Sequence, residues 1–133
     1  MKTIKIEETN TSPYVLFDFD RNYYEIKGCS RPEDVVDFYG QLIDWFGEVK
    51  SMISNELKEK TAKEPMVFKL YYDYFNSSSA KYILDMIILI DDLFKNGLTV
   101  KIEWLYKRED EDMLETGQEF TDLIKCPIEF IAV

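Results

Sequence analysis

The chain has 133 residues, with 26 Asp or Glu against 16 Lys or Arg, which gives a formal net charge of −10 at pH 7. This length suits one domain around a single core, and we treat residues 1–133 as that domain. The negative charge disfavours nucleic acid and anionic membrane surfaces as partners, because both attract Lys and Arg.

Three strands are predicted in the first part of the chain, at residues 2–8, 14–19 and 23–27. Apolar and charged residues alternate in the first of them, which is typical of a strand rather than a signal peptide, and we expect a cytoplasmic location. Residues 20–22 suit a hairpin connection.

A long helix is predicted next, with Ser30 as its N-cap, Pro32 in its first turn and Glu33 completing a capping box. Unbroken to residue 60 it would be about 45 Å long, so we expect its second half to overhang or bend. Gly40 and Gly47 lie two turns apart. They indicate either close approach to another backbone or a tolerated weakness of about 1 kcal/mol each.

The central segment, residues 65–97, is the one around which we expect the fold to be organised. Apolar residues recur at every second position up to Phe75, which predicts a strand with one buried face. After the polar cluster Asn76, Ser77, Ser78 and Ser79, the spacing becomes that of a helix ending near residue 97.

This helix is more apolar than one buried face requires. A second stripe beside the main one contains Tyr82, Met86, Leu89 and Leu93. Two interpretations are open: neighbouring helices cover the stripe, or it is a partner or self-association surface, for which Met and aromatic residues are suited.

A strand at residues 98–107, a helix opened by the acidic residues 109–112 and a strand at 127–133 complete the chain. Acidic residues in a first turn favour the helix dipole, and we expect no metal there. The order β-β-β-α-β-α-β-α-β predicts an α/β fold with a mixed sheet, parallel in its later half, and helices mainly on one face.

Catalytic signatures are missing from the sequence. The chain has no histidine, no glycine-rich phosphate loop, and two cysteines, Cys29 and Cys126, without paired spacing. We therefore expect neither an enzyme nor a cofactor. A hydrolase that uses only carboxylates is the weaker alternative.

The serine cluster has two interpretations. Short polar side chains at this position cap a helix by accepting hydrogen bonds from its first N–H groups. Alternatively, one serine is phosphorylated, and the free N–H groups and the helix dipole receive a phosphate of roughly −2 charge. Composition leaves both open.

Three segments carry a resemblance to a known family: residues 26–33, residues 74–81 with the serine cluster, and residues 104–106. The turn resembles the phosphorylatable Asp-Ser-Ser-Gly turn of STAS-domain anti-sigma factor antagonists, with Asn76 in place of Asp and Ser79 in place of Gly. From about residue 14 onward, the chain more closely resembles the SiaC family of bacterial regulatory phosphoproteins.

The SiaC resemblance implies a STAS-like fold and phosphorylation at Ser77, with Ser78 as the alternative. It also implies a serine/threonine kinase with a histidine-kinase-like ATPase fold and an opposing PP2C-type phosphatase. The unphosphorylated form is then expected to bind and stimulate a diguanylate cyclase, raising cyclic di-GMP and biofilm formation. The alternative is a STAS-type antagonist that sequesters an anti-sigma factor.

Overall fold

A computed structural model describes residues 1–133 as six strands and four helices. In chain order they are β1 (Ile4–Ile6), β2 (Tyr14–Asp18), β3 (Tyr23–Ser30), α1 (Val35–Ser51), α2 (Asn55–Lys63), β4 (Met66–Phe75), α3 (Ser77–Lys95), β5 (Val100–Tyr106), α4 (Glu111–Thr121) and β6 (Ile128–Ala132).

All six strands form one sheet, in the same order as in the chain. β1, β2 and β3 are joined as antiparallel neighbours, whereas β3, β4, β5 and β6 run parallel. Each parallel pair is connected through at least one helix, as parallel pairing requires. The predicted mixed sheet is therefore confirmed.

The helices cover one face of this sheet, and the core lies between the two layers. In β4 the residues at alternate positions, Met66, Phe68, Leu70 and Tyr72, are buried, while the intervening side chains are partly or fully exposed. β3 and β5 alternate in the same way. The predicted one-sided α/β architecture is confirmed, and the opposite face carries no helix.

The start of the first helix was predicted wrongly. Ser30 is the last residue of β3 and is fully buried, and its carbonyl accepts from the Asn76 N–H at 3.1 Å. α1 begins at Val35 and is capped by Asp34, whose side chain accepts from the Asp37 N–H at 3.0 Å. Ser30 thus continues the sheet instead of capping a helix.

The long helix is divided in two. α1 ends at Ser51, and the Ser54 side chain starts α2 by accepting from the Leu57 N–H at 3.1 Å. The second helix contributes Leu57 to the core and buries Thr61, whose hydroxyl accepts from the Thr99 N–H at 3.1 Å. The expected bend is therefore a complete break, and the order of elements otherwise remains as predicted.

No helix of the structure combines the length and the apolar character that crossing a bilayer demands.

Candidate functional site

The predicted serine turn lies where β4 passes into α3. The backbone of Asn76 is extended, and its side-chain oxygen accepts from the Ser79 N–H at 2.9 Å. Asn76 is therefore the N-cap, and Ser77 is the first residue of the helix. Because the amide performs the capping, no serine hydroxyl is needed for it.

The three serines have different environments. Ser77 and Ser78 are exposed, and their hydroxyls make no hydrogen bond, whereas Ser79 is fully buried. A modifying enzyme approaching from solvent can reach the first two hydroxyls but not the third. The structure thus divides the turn into two accessible serines and one structural serine.

Ser79 belongs to a buried hydroxyl cluster, defined here as Ser30, Tyr39, Tyr72 and Ser79. Ser30 Oγ donates to Ser79 Oγ at 2.9 Å and lies 2.6 Å from Tyr39 Oη, which is 3.3 Å from Tyr72 Oη. The cluster joins β3, β4, α1 and α3 directly beneath the exposed serines. Local patterns in the sequence do not reveal this cluster, because only the β3–β4 register brings Ser30 to Ser79.

The two phenols of this cluster remain neutral. Burial raises the pKa of Tyr39, against a smaller lowering by its hydrogen bonds to Ser30, Tyr72 and Ser79. Burial also raises the pKa of Tyr72 well above its usual value. The cluster is therefore a set of uncharged hydroxyls that fixes the first turn of α3 from below.

The first turn of α3 is a suitable receptor for a negative group. It contains no acidic residue, and the N–H groups of Ser77 and Ser78 have no hydrogen-bond acceptor. Lys81, one turn further along, makes no ion pair. The helix dipole adds partial positive charge at the same place. A phosphate on either exposed serine would have donors within its own turn.

The predicted partner stripe on α3 is mostly core. Met86 and Leu93 are 0% and 1% exposed, so neither can belong to a docking surface. Leu89 is half-buried against the core, and the Tyr82 ring stacks on Tyr39 of α1 at 5.9 Å. The surplus apolar character is explained by α1, which packs along α3 and covers the stripe.

Other candidate chemistry lies away from this turn. An open cavity of about 330 Å³ between β1 and α1 is lined in part by Asp44 and Glu48. Both carboxylates are exposed and lack hydrogen-bond partners, so nothing holds them in the fixed geometry that acid–base catalysis requires. No group of three potential metal-ligating His, Cys, Asp or Glu side chains exists.

Comparisons with known proteins find relatives along nearly the whole chain. The model of the SiaC family of regulatory phosphoproteins matches residues 6–133. A Pseudomonas aeruginosa protein (strain UCBPP-PA14) is 27% identical over 127 residues, which is 96% of this chain and 94% of that protein.

Solved structures are similar over the whole length. Apo-SiaC from Pseudomonas aeruginosa is 25% identical, with a TM-score of 0.84 over 99% of this chain and 100% of that one. The crystal structure of the diguanylate cyclase SiaD in complex with its activator SiaC gives the same identity and TM-score, over 98% of this chain and 99% of the matched one.

Proposed function

The chain belongs to the SiaC family of regulatory phosphoproteins, and we propose that it is a switch in which phosphorylation of Ser77 controls the binding of a signalling partner. The observation that carries this proposal is the division of the serine turn. Ser77 is exposed at the first position of α3, beside N–H groups that have no hydrogen-bond acceptor. Ser79, in contrast, is buried and its hydroxyl is hydrogen-bonded within the buried cluster.

The proposed partner is a diguanylate cyclase, bound and stimulated by the unphosphorylated form. Support comes from SiaC, which shares the fold over its whole length and is described as the activator of the cyclase SiaD. A serine/threonine kinase with a histidine-kinase-like ATPase fold adds the phosphate, and a PP2C-type phosphatase removes it. An anti-sigma factor is the weaker candidate, because the match over the whole chain is to SiaC.

Electrostatics and desolvation supply the mechanism. The phosphate carries roughly −2 charge, and within the domain it can be held by the Ser77 and Ser78 N–H groups and the helix dipole. A partner packed over Ser77 must instead bury the dianion or be kept away from it, at a cost of several kcal/mol. A loss of about 2.8 kcal/mol lowers affinity roughly a hundredfold.

Site mapping tests the modified residue. The purified chain is incubated with the host kinase and ATP, and the phosphorylated residue is located by peptide mass spectrometry. Ser77→Ala is expected to abolish labelling and Ser78→Ala to retain it, while both keep the circular dichroism spectrum of the parent. The opposite pattern would move the site to Ser78. Labelling of both variants to the level of the parent would refute the proposal.

Cyclase assays test the partner. The unmodified chain is expected to bind the host diguanylate cyclase and raise its rate of cyclic di-GMP synthesis, and the phosphorylated chain to do neither at the same concentration. A pull-down that recovers an anti-sigma factor and no cyclase would identify the alternative pathway.

A further inference from the structure

The two edges of the sheet differ in how well they are protected against further pairing. β1 and β6 are the outer strands, so each has one row of backbone N–H and C=O groups without a neighbouring strand. β1 has three residues, and the exposed charged side chains of Lys2, Lys5 and Glu7 discourage another strand from adding to it. β6 has five residues and a single charge, on Glu129. β6 is therefore the edge that is open to further pairing.

The backbone groups that β6 turns away from the sheet follow from its pairing with β5. The Ile102 N–H donates to the Pro127 carbonyl at 2.9 Å, and the Val133 N–H donates to the Tyr106 carbonyl at 2.9 Å. Because a strand uses every second residue to bond one neighbour, the odd-numbered residues from 127 to 133 face β5. The residues whose N–H and C=O groups point outward are Ile128, Phe130 and Ala132.

The side chains along this edge are apolar and incompletely buried. No residue of β6 is buried, whereas alternate residues of β5 are. Ile128 and Phe130 pack against the core and still remain partly exposed. Leu123, in the connection that leads into β6, is 59% exposed, and Val133 is 50% exposed. A strand added to β6 therefore covers apolar side chains and pairs backbone groups at the same time.

We propose that β6 pairs antiparallel with β6 of a second copy of the chain, around a twofold axis at Phe130. In this register Phe130 lies opposite Phe130 of the second copy, and Ile128 lies opposite Ala132. All three outward-facing residues of each copy then fall in hydrogen-bonded pairs. A register centred on Glu129 or Ile131 pairs only two of the three.

Charge favours the same register. Pairing around Phe130 places Glu129 opposite Ile131 of the second copy, whereas pairing around Glu129 would place two carboxylates opposite each other. Within its own chain, Glu129 shares Lys101 with Glu103, at 3.1 and 3.5 Å. The net charge of −10 on each copy opposes association, but physiological salt screens charges beyond about 8 Å. The edge is thus self-complementary, as a twofold interface requires, and this property selects a second copy as the occupant.

The pairing goes beyond the proposed function and does not depend on a kinase or a cyclase. β5 separates β6 from β4, so the serine turn lies outside the paired edge. Dimerisation and phosphorylation of Ser77 are therefore separately measurable.

Charge variants at Ile131 provide the test. Light scattering from about 1 μM to about 1 mM is expected to show the mass of the full unmodified chain rising from 15.8 kDa towards twice that value. Ile131→Glu places a carboxylate opposite Glu129 of the second copy, and Ile131→Lys places an ammonium there. Because each dimer contains this contact twice, the dissociation constant of the Glu variant is expected to exceed that of the Lys variant about tenfold.

Two controls separate the paired edge from general effects. Val36→Glu and Val36→Lys change the net charge in the same way at a side chain 59% exposed on α1, and their dissociation constants are expected to agree within about twofold. Ala132→Pro removes an outward N–H and no bond to β5, so it is expected to abolish the dimer and keep the circular dichroism spectrum of the parent.

Hydrogen exchange gives a readout without substitution. The outward amide protons of Ile128, Phe130 and Ala132 are expected to exchange about tenfold more slowly in the concentrated dimer than in the dilute monomer. The Ile102 amide, which is bonded to Pro127 in both states, should change little.

Each outcome bears on the pairing. A chain that stays monomeric up to about 1 mM refutes it. A dimer in which the two Ile131 variants associate equally, or differ no more than the two Val36 variants do, overturns the assignment to β6. If the parent is monomeric and the β6 amides are protected only by added host cyclase, the edge receives a strand of the cyclase; the proposal is then overturned and the proposed function stands. A parent that dimerises but binds no cyclase refutes the proposed function alone.

Discussion

Ser77 and Ser79 lie two positions apart on the same helical turn, yet their hydroxyls have opposite relations to solvent. Ser77 is exposed and unbonded, whereas Ser79 is fully buried and accepts from Ser30 at 2.9 Å. The helical rotation of about 100° per residue makes such a division possible within one turn. At the scale of single residues, the site is an exposed hydroxyl above a buried, uncharged support.

Removal of the Ser30 hydroxyl should destabilise the fold. Ser30→Ala leaves Tyr39 without its 2.6 Å partner and Ser79 without its donor, so we expect a loss of about 1–3 kcal/mol in the free energy of unfolding. Urea denaturation followed by circular dichroism measures it. Ser78→Ala removes an exposed, unbonded hydroxyl and should change stability by less than about 0.5 kcal/mol. Equal effects in the two variants would contradict the buried cluster.

Asp91 predicts a pH dependence of stability. Burial by itself raises the pKa of this carboxyl, but the backbone N–H groups of Lys125 and Cys126, each at 2.9 Å, and the ammonium of Lys95 outweigh burial and lower it. Because the pKa of Asp91 is depressed in the folded state, the carboxylate stabilises the fold fully above the unfolded-state pKa of about 3.9. This stabilisation is lost as the pH falls through the folded-state pKa.

A comparison of Asp91→Asn with the parent tests whether the stabilisation by Asp91 is present at neutral pH and lost in acid. At pH 7 the variant should be less stable by about 2 kcal/mol, because it loses charge-assisted hydrogen bonds. The difference should shrink as the pH falls below about 3.9, because the carboxyl of the unfolded parent chain is protonated there first, and it should be lost once the pH is below the depressed pKa of the folded carboxyl. Urea midpoints between pH 2.5 and pH 7 provide the measurement. A gap that stays constant over this range would show that the charge of Asp91 contributes nothing.

At the scale of elements, the glycines of α1 have no packing role inside the chain. A Cβ placed on Gly40 or Gly47 meets no atom within 4 Å, so the close approach to another backbone is absent from the domain. Gly117 of α4 is different: a Cβ there would lie 2.6 Å from Nε1 of Trp104, which donates to the Met113 carbonyl. Glycine-to-alanine substitutions in α1 and in α4 should therefore change the free energy of unfolding in opposite directions.

Glycine-to-alanine variants make this contrast measurable. Gly40→Ala and Gly47→Ala should each raise the free energy of unfolding by about 0.5–1 kcal/mol, because alanine loses less backbone entropy in a helix. Gly117→Ala should lower it by about 1–3 kcal/mol through overpacking against Trp104. Thermal and urea unfolding of the three variants suffices. Stabilisation by Gly117→Ala would show that α4 can move away from β5 without cost.

At the scale of the whole molecule, the switch is expected to work without unfolding. The first turn of α3 offers free N–H groups to a phosphate, and the neutral cluster beneath it makes no hydrogen bond to Ser77. We therefore expect the thermal midpoint of the phosphorylated chain to match that of the unmodified chain, while affinity for the cyclase falls roughly a hundredfold.

The thermal midpoint and the affinity for the cyclase are measured on the same samples of phosphorylated and unmodified chain. Ser77→Asp carries one charge and fewer acceptor oxygens, so it should weaken binding less than phosphorylation does. Unchanged affinity, or affinity lost only because the phosphorylated domain has melted, would contradict this mechanism.

Local patterns in the sequence determined much of the architecture. The period-two spacing before Phe75 and the helical spacing after Ser79 predicted β4, α3 and the turn between them, because buried faces repeat with the period of their element. The alternation of strands and helices predicted the parallel half of the sheet. The serine turn was also recognisable from its residues, whereas the prediction that it is phosphorylated rests on resemblance to a known family.

Only the tertiary structure decided, among residues with the same local pattern, which ones are buried and which ones cap a helix or face solvent. Ser30 has the local signature of a helix cap, but the parallel pairing of β3 with β4 makes it part of the sheet and joins it to Ser79. Met86 and Leu93 belong to a stripe that would suit a docking surface, and the packing of α1 buries them. Burial depends on contacts between distant segments, and local spacing does not encode those contacts.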